Sequence, residues 1–114
     1  MKVNLRIKID SIEPLNIKVK GIKKDNSYTY FENDIKVIIY YSENYISIKR
    51  ECNDYKIDLN LKKNEKSIST YSVFGGSKIF NLDTECTKIN ITDKKIKVEY
   101  KIDEDKFKYV LEVI

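Results

Sequence analysis

The strongest constraint in this 114-residue sequence is a short-range alternation of apolar and polar residues, broken at regular intervals by Asn, Asp and Gly. Val3, Leu5, Ile7 and Ile9 alternate with Asn4, Arg6 and Lys8; Tyr55, Ile57, Leu59 and Leu61 alternate with Lys56, Asp58 and Asn60. Successive side chains of a strand point to opposite faces, so a period of two marks half-buried strands. The same pattern returns at Ile96, Val98, Tyr100 and Ile102, and at Phe107, Tyr109, Leu111 and Val113. Between the runs lie turn formers: Asp25-Asn26, Asn33-Asp34, Glu43-Asn44, Asn53-Asp54, Gly75-Gly76 and Thr92-Asp93. Glycine reaches positive φ without a Cβ clash, so Gly75-Gly76 predicts a tight hairpin turn. No window carries a helical period. About nine to eleven short strands joined by tight turns predict one all-β domain over residues 1–114, an antiparallel meander. Closure into a barrel removes the exposed edges of an open sheet, so an antiparallel β-barrel is expected rather than a sandwich.

Composition narrows the chemistry. There is no histidine, which excludes Ser-His and Cys-His dyads and His-ligated metals. Cys52 and Cys86 stand far apart with no neighbouring soft ligand, so the chain is expected to fold without metal or disulfide, in a reducing cytoplasm. The N-terminus opens directly on a strand pattern, and no apolar run approaches the roughly 18 residues of a membrane span. The 22 basic side chains against 18 acidic ones include only Arg6 and Arg50 as arginine. Lys18, Lys20, Lys23 and Lys24, with Lys62, Lys63 and Lys66, mostly sit opposite apolar positions, where any solvated strand carries charge. That argues against nucleic acid as a partner. Asp103-Glu104-Asp105 lacks the alternating oxygens of a Ca²⁺ loop, and Gly75-Gly76 lacks a following helix to cradle phosphate. An enzyme is not expected, and no cofactor is implied.

Ordered features across nearly the whole chain carry a family resemblance. They are Tyr28-x-Tyr30-x-Glu32, a run ending at Arg50, Tyr71 followed by Phe74-Gly75, and Ile96-x-Val98-x-Tyr100. Together they resemble the YwiB-like family, bacterial proteins of unknown function with a calycin-like β-barrel. The family pattern has Arg-x-Gly where this chain has Arg50-Glu51-Cys52. The resemblance implies the barrel and carries over no catalytic residue.

Tyr28, Tyr30, Arg50, Tyr71 and Tyr100 are the candidate ligand-binding residues, because a barrel interior of this size can hold one small, partly apolar molecule. The alternative is a structural or protein-interaction module whose tyrosines fill the barrel while Arg50 closes one end through hydrogen bonds. The segment from Ile35 to Tyr41 is apolar on both faces. If Ile35, Val37, Ile39 and Tyr41 point inward, Ile38 and Tyr40 face outward; the reversed register exposes the other four instead. That outer face is expected to be covered, either by the chain's own segment from Ser11 to Asn16 or by a second copy in a homodimer.

Overall fold

The computed structural model describes the backbone of all 114 residues and every side chain except that of Phe74. Alternation becomes ten antiparallel strands: β1 (Lys2–Asp10), β2 (Leu15–Lys24), β3 (Ser27–Glu32), β4 (Ile35–Ser42), β5 (Tyr45–Glu51), β6 (Tyr55–Lys62), β7 (Glu65–Val73), β8 (Lys78–Ile91), β9 (Lys95–Ile102) and β10 (Asp105–Val113). Each strand pairs with its sequence neighbours, and β1 also pairs with β10, with Ile7 opposite Leu111, to close the barrel. The mouth of the barrel carries residues 11–14, 33–34, 52–54, 74–77 and 103–104. The opposite end carries both termini and the remaining turns.

The turns use the chemistry expected of them. Asp25, Asn33, Asn44, Asn64 and Asp103 adopt left-handed φ between 51° and 62°, which short Asx side chains tolerate better than most residues. The β7–β8 turn holds a single 3₁₀ turn, Phe74–Gly76, with Gly75 at φ 64° and Gly76 at φ 89°. A Cβ at either glycine would meet nothing within 4 Å, so a substitution there costs backbone strain alone. Gly76→Val is expected to destabilise by about 1–3 kcal/mol in urea unfolding; a change within error would show that the turn relaxes freely.

One segment differs from expectation. The sequence reads as two short runs, Lys78 to Leu82 and Thr87 to Ile91, yet β8 runs unbroken over 14 residues, with a bulge between Cys86 and Lys88. The reason is local: Thr84 faces inward and meets the hydroxyls of Ser67 and Ser69 at 2.9 and 3.1 Å. Ser69 also accepts from the Asn60 N–H at 3.0 Å, while Ser67 donates to the Asn60 carbonyl. The β6–β7 ladder spans only Tyr55–Asp58 against Val73–Thr70, so these hydroxyls join the two strands beyond it.

Candidate functional site

The inward residues fill the middle of the barrel. Leu5, Ile7, Val37, Ile39, Ile46, Leu61, Val98 and Leu111 are all fully buried, and Tyr28, Tyr30, Ile48, Ile96 and Tyr109 nearly so. Gly21 sits where a Cβ would come within 2.7 Å of the Leu5 side chain and 2.9 Å of the Thr29 carbonyl, so bare backbone lets Leu5 pack.

The five candidate residues divide into three groups. Tyr30, Arg50 and Tyr100 share the mouth half of the interior. The Tyr30 and Tyr109 hydroxyls bond at 2.5 Å. Arg50 donates from Nη1 and Nη2 to the two carboxylate oxygens of Glu32, at 3.2 and 2.7 Å. Tyr100 is buried and stacks on Phe107 with ring centroids 5.2 Å apart. Tyr71 stands beside this cluster, between Tyr55 at 5.9 Å and Phe80 at 6.2 Å. Tyr28 belongs elsewhere: it stacks on Tyr41 at 6.0 Å, beneath the Lys23 ammonium. Sequence reasoning missed Glu32 and Tyr109 as the partners of this cluster. Glu32 was detectable, since it shares the inward parity of Tyr28 and Tyr30.

Chemically the cluster is closed upon itself. A bidentate Arg–carboxylate pair uses the fork geometry through which Arg would otherwise grip an anion. Burial works to lower the Arg50 pKa, but the Glu32 bonds and charge more than offset it and raise it further. A family model described as "Domain of unknown function (DUF1934)" matches residues 4–110. The chain belongs to this family. The resemblance to YwiB-like proteins read from the sequence is thereby established. The crystal structure of the ywiB protein from Bacillus subtilis superposes with a TM-score of 0.70 and 17% identity, covering 98% of this chain and 88% of that one. At that identity the likeness is one of fold. Comparison with curated proteins finds no match.

In this DUF1934 barrel the phenols report on the packing. Burial raises the Tyr30 pKa to about 12 and pushes those of Tyr100 and Tyr109 well above the usual 10. An acid whose folded pKa is raised stabilises the fold fully below its unfolded pKa. That contribution is lost as pH climbs toward the folded value. Stability is therefore expected to fall from about pH 10 upward. Absorbance at the phenolate band should show these three tyrosines ionising only as the fold opens. Smooth ionisation of all nine tyrosines near pH 10 in folded protein would contradict their burial.

Among the described residues no three His, Cys, Asp or Glu side chains are placed to hold a metal ion together. Cys52 is half-buried and Cys86 buried, both as free thiols, and burial raises the Cys86 pKa.

The outer face of β4 follows the first of the two expected registers. Val37 and Ile39 are buried, Ile38 is half-buried and Tyr40 is 48% exposed, so among the described residues nothing, residues 11–16 included, covers the Tyr40 side chain fully. Ile22, Thr29 and Ile38 lie in one cross-strand row, flanked by Phe31 and Tyr40 along β3 and β4. Ile22 and Phe31 are 54% and 57% exposed. Lysines ring this patch. Lys2 stands across from Ile22, Lys49 from Ile38 and Lys36 from Phe31, with Lys20 and Lys24 on either side of Ile22. All five are exposed, and none makes an ion pair among the described residues. Alongside, Lys2, Lys20, Ile22 and Phe31 line a groove of about 490 Å³.

Proposed function

We propose that this protein is a non-enzymatic interaction module, a filled β-barrel that recognises a partner protein through the outer face of β2–β4. The observation that carries this reading is the exposed trio Ile22, Phe31 and Tyr40, set around half-buried Ile38, on a barrel whose middle is occupied by its own side chains. Contiguous exposed apolar surface with a polar rim is characteristic of protein docking sites. The lysine ring selects an occupant with apolar side chains set among carboxylates. A second copy, the other candidate for this strand, would bring lysines against lysines across a two-fold axis.

The interior-ligand reading has weaker support. Its polar groups, Arg50 with Glu32 and Tyr30 with Tyr109, are already satisfied by each other. A small ligand would have to displace packed side chains or take the aromatic rim formed by Tyr55, Tyr71 and Phe80.

A photo-crosslinking residue placed at Tyr40 in cells, with the same residue at Asn90 on a distant outer face as reference, tests the proposal. The expected result is an adduct specific to position 40. The crosslinked protein, once purified, should bind wild type and lose at least tenfold in affinity to Tyr40→Ser and to a rise in salt. Equal adducts at both sites, or an adduct only with a second copy of the chain, would overturn it.

A further inference from the structure

The β7–β8 hairpin rises past its neighbour at the mouth. On one flank β6 accompanies it to the tip, with Tyr55 opposite Val73. On the other flank the β8–β9 ladder begins only at Thr84, opposite Ile102, and the Asp103 N–H reaches the Asp83 carbonyl at 2.9 Å. Residues 78–82 of β8 therefore have β7 on one side and no strand on the other. Backbone groups alternate in direction along a strand. The Asp83 carbonyl points toward β9, so Asn81 and Ile79 aim their N–H and C=O groups at the open side too.

Proteins usually blunt such an edge with lysine, proline or a covering loop. The comparable edge of β2 follows that rule. The β2–β3 ladder spans only residues 21–24 of β2, and the unaccompanied part beyond it carries Lys18 and Lys20 and follows Pro14. The β8 edge instead presents Ile79 at 63% exposure and Phe80 at 50%, followed by Asn81 and Leu82.

We infer that this edge pairs with the same edge of a second copy, antiparallel about a two-fold axis at Phe80, to form a dimer with a sheet continuous across both barrels. The register selects a second copy. With Phe80 facing its counterpart, Ile79 of each chain lies opposite Asn81 of the other. Their N–H and C=O groups bond reciprocally, and none of the free edge groups is left over. The open stretch is bounded by the chain's own 74–77 turn at one end and by the β9–β10 turn at the other. Phe80 lies at its midpoint, so each copy's strand begins where the partner's open edge ends.

Charge agrees with this arrangement. Lys78 marks one end of the edge, while Asp83, Asp103, Glu104 and Asp105 crowd the other. Antiparallel pairing lays each Lys78 end toward the partner's acidic end. Beside that end lies a groove of about 660 Å³ lined by Ile68 and by Asp83, Glu85, Asp103 and Glu104, together with Lys66 and Lys101. The two Phe80 rings form a non-hydrogen-bonded cross-strand pair, each backed by its own Tyr71.

Sedimentation velocity of the full chain over a concentration series tests this, alongside amide exchange at residue level. The expected species has twice the 13.5 kDa chain mass, populated at concentrations on the order of micromolar or above, as small edge interfaces allow. Ile79 and Asn81 amides should gain protection as concentration rises. Asn81→Pro removes an edge N–H that β7 does not use, and Ile79→Lys places a charge on the edge. Each should shift the dimer constant at least tenfold toward monomer with the circular dichroism unchanged. Tyr40→Ser should leave the dimer intact. A monomer throughout the series, a dimer insensitive to both edge variants, or a dimer dissolved by Tyr40→Ser would each overturn the inference.

Discussion

Tyr109→Ala is expected to destabilise the barrel by about 3–5 kcal/mol, the range for emptying a fully buried aromatic site. Tyr109 is 2% exposed and lies across from Val98 on β9 and Ile9 on β1, beside the seam that closes the barrel. Two effects add. The ring's volume is lost, and the Tyr30 hydroxyl loses the partner it holds at 2.5 Å. Tyr109→Phe separates them. It keeps the ring but leaves the buried Tyr30 hydroxyl unpaired, at a cost of about 1–3 kcal/mol. Since a domain of this kind has only about 5–15 kcal/mol in total, the alanine variant should lie near the edge of folding at 37 °C. Urea midpoints for both variants supply the comparison. An alanine variant within about 1 kcal/mol of wild type would mean that the site is not tightly packed.

The second large effect concerns Arg50 and Glu32. Removing one member of a buried pair strands the other charge, which costs about 3–5 kcal/mol in fully buried cases. Here the side chains retain 20% and 15% exposure, so Arg50→Met alone is expected to cost about 2–3 kcal/mol. Glu32→Leu alone should cost a similar amount. The double variant should recover to within about 1 kcal/mol of wild type, because both charges then leave together and apolar side chains fill the space. That pattern is the signature of a structural pair. Single variants that leave stability unchanged would point instead to an arginine held ready for a ligand.

Much of the fold was legible because strand alternation and Asx or glycine turns are local signals. The Tyr55 to Leu61 run and the turn at Gly75-Gly76 both follow from residues within a few positions of each other, whereas the two-sided apolar run of β4 left its register open, and only the burial of Val37 and Ile39 decides it. What the sequence concealed was pairing over distance. Arg50 finds Glu32 at a separation of 18 residues, and Tyr30 finds Tyr109 at 79. Thr84 was hidden for another reason: a polar residue on an inward face breaks the apolar pattern, and only the hydroxyls of Ser67 and Ser69 make it a core position. Tyr28 and Tyr71 looked like members of one cluster because parity shows which face a residue takes, not which end of the barrel it serves. The free edge of β8 was likewise invisible, since it arises from the unequal heights of neighbouring hairpins.

The central claim is that the middle of the barrel is filled and recognition belongs to the outside. Dry apolar cavities take up benzene, whereas close-packed interiors do not. Methyl NMR spectra of Leu5, Ile48 and Leu61, buried at the barrel's centre, recorded as benzene is raised to saturation, therefore test it directly. The account predicts that these methyls stay in place, with any shift confined to exposed groups such as Ile22 and Ile79. Saturable shifts of the three interior methyls would contradict it and restore the barrel interior as the ligand site.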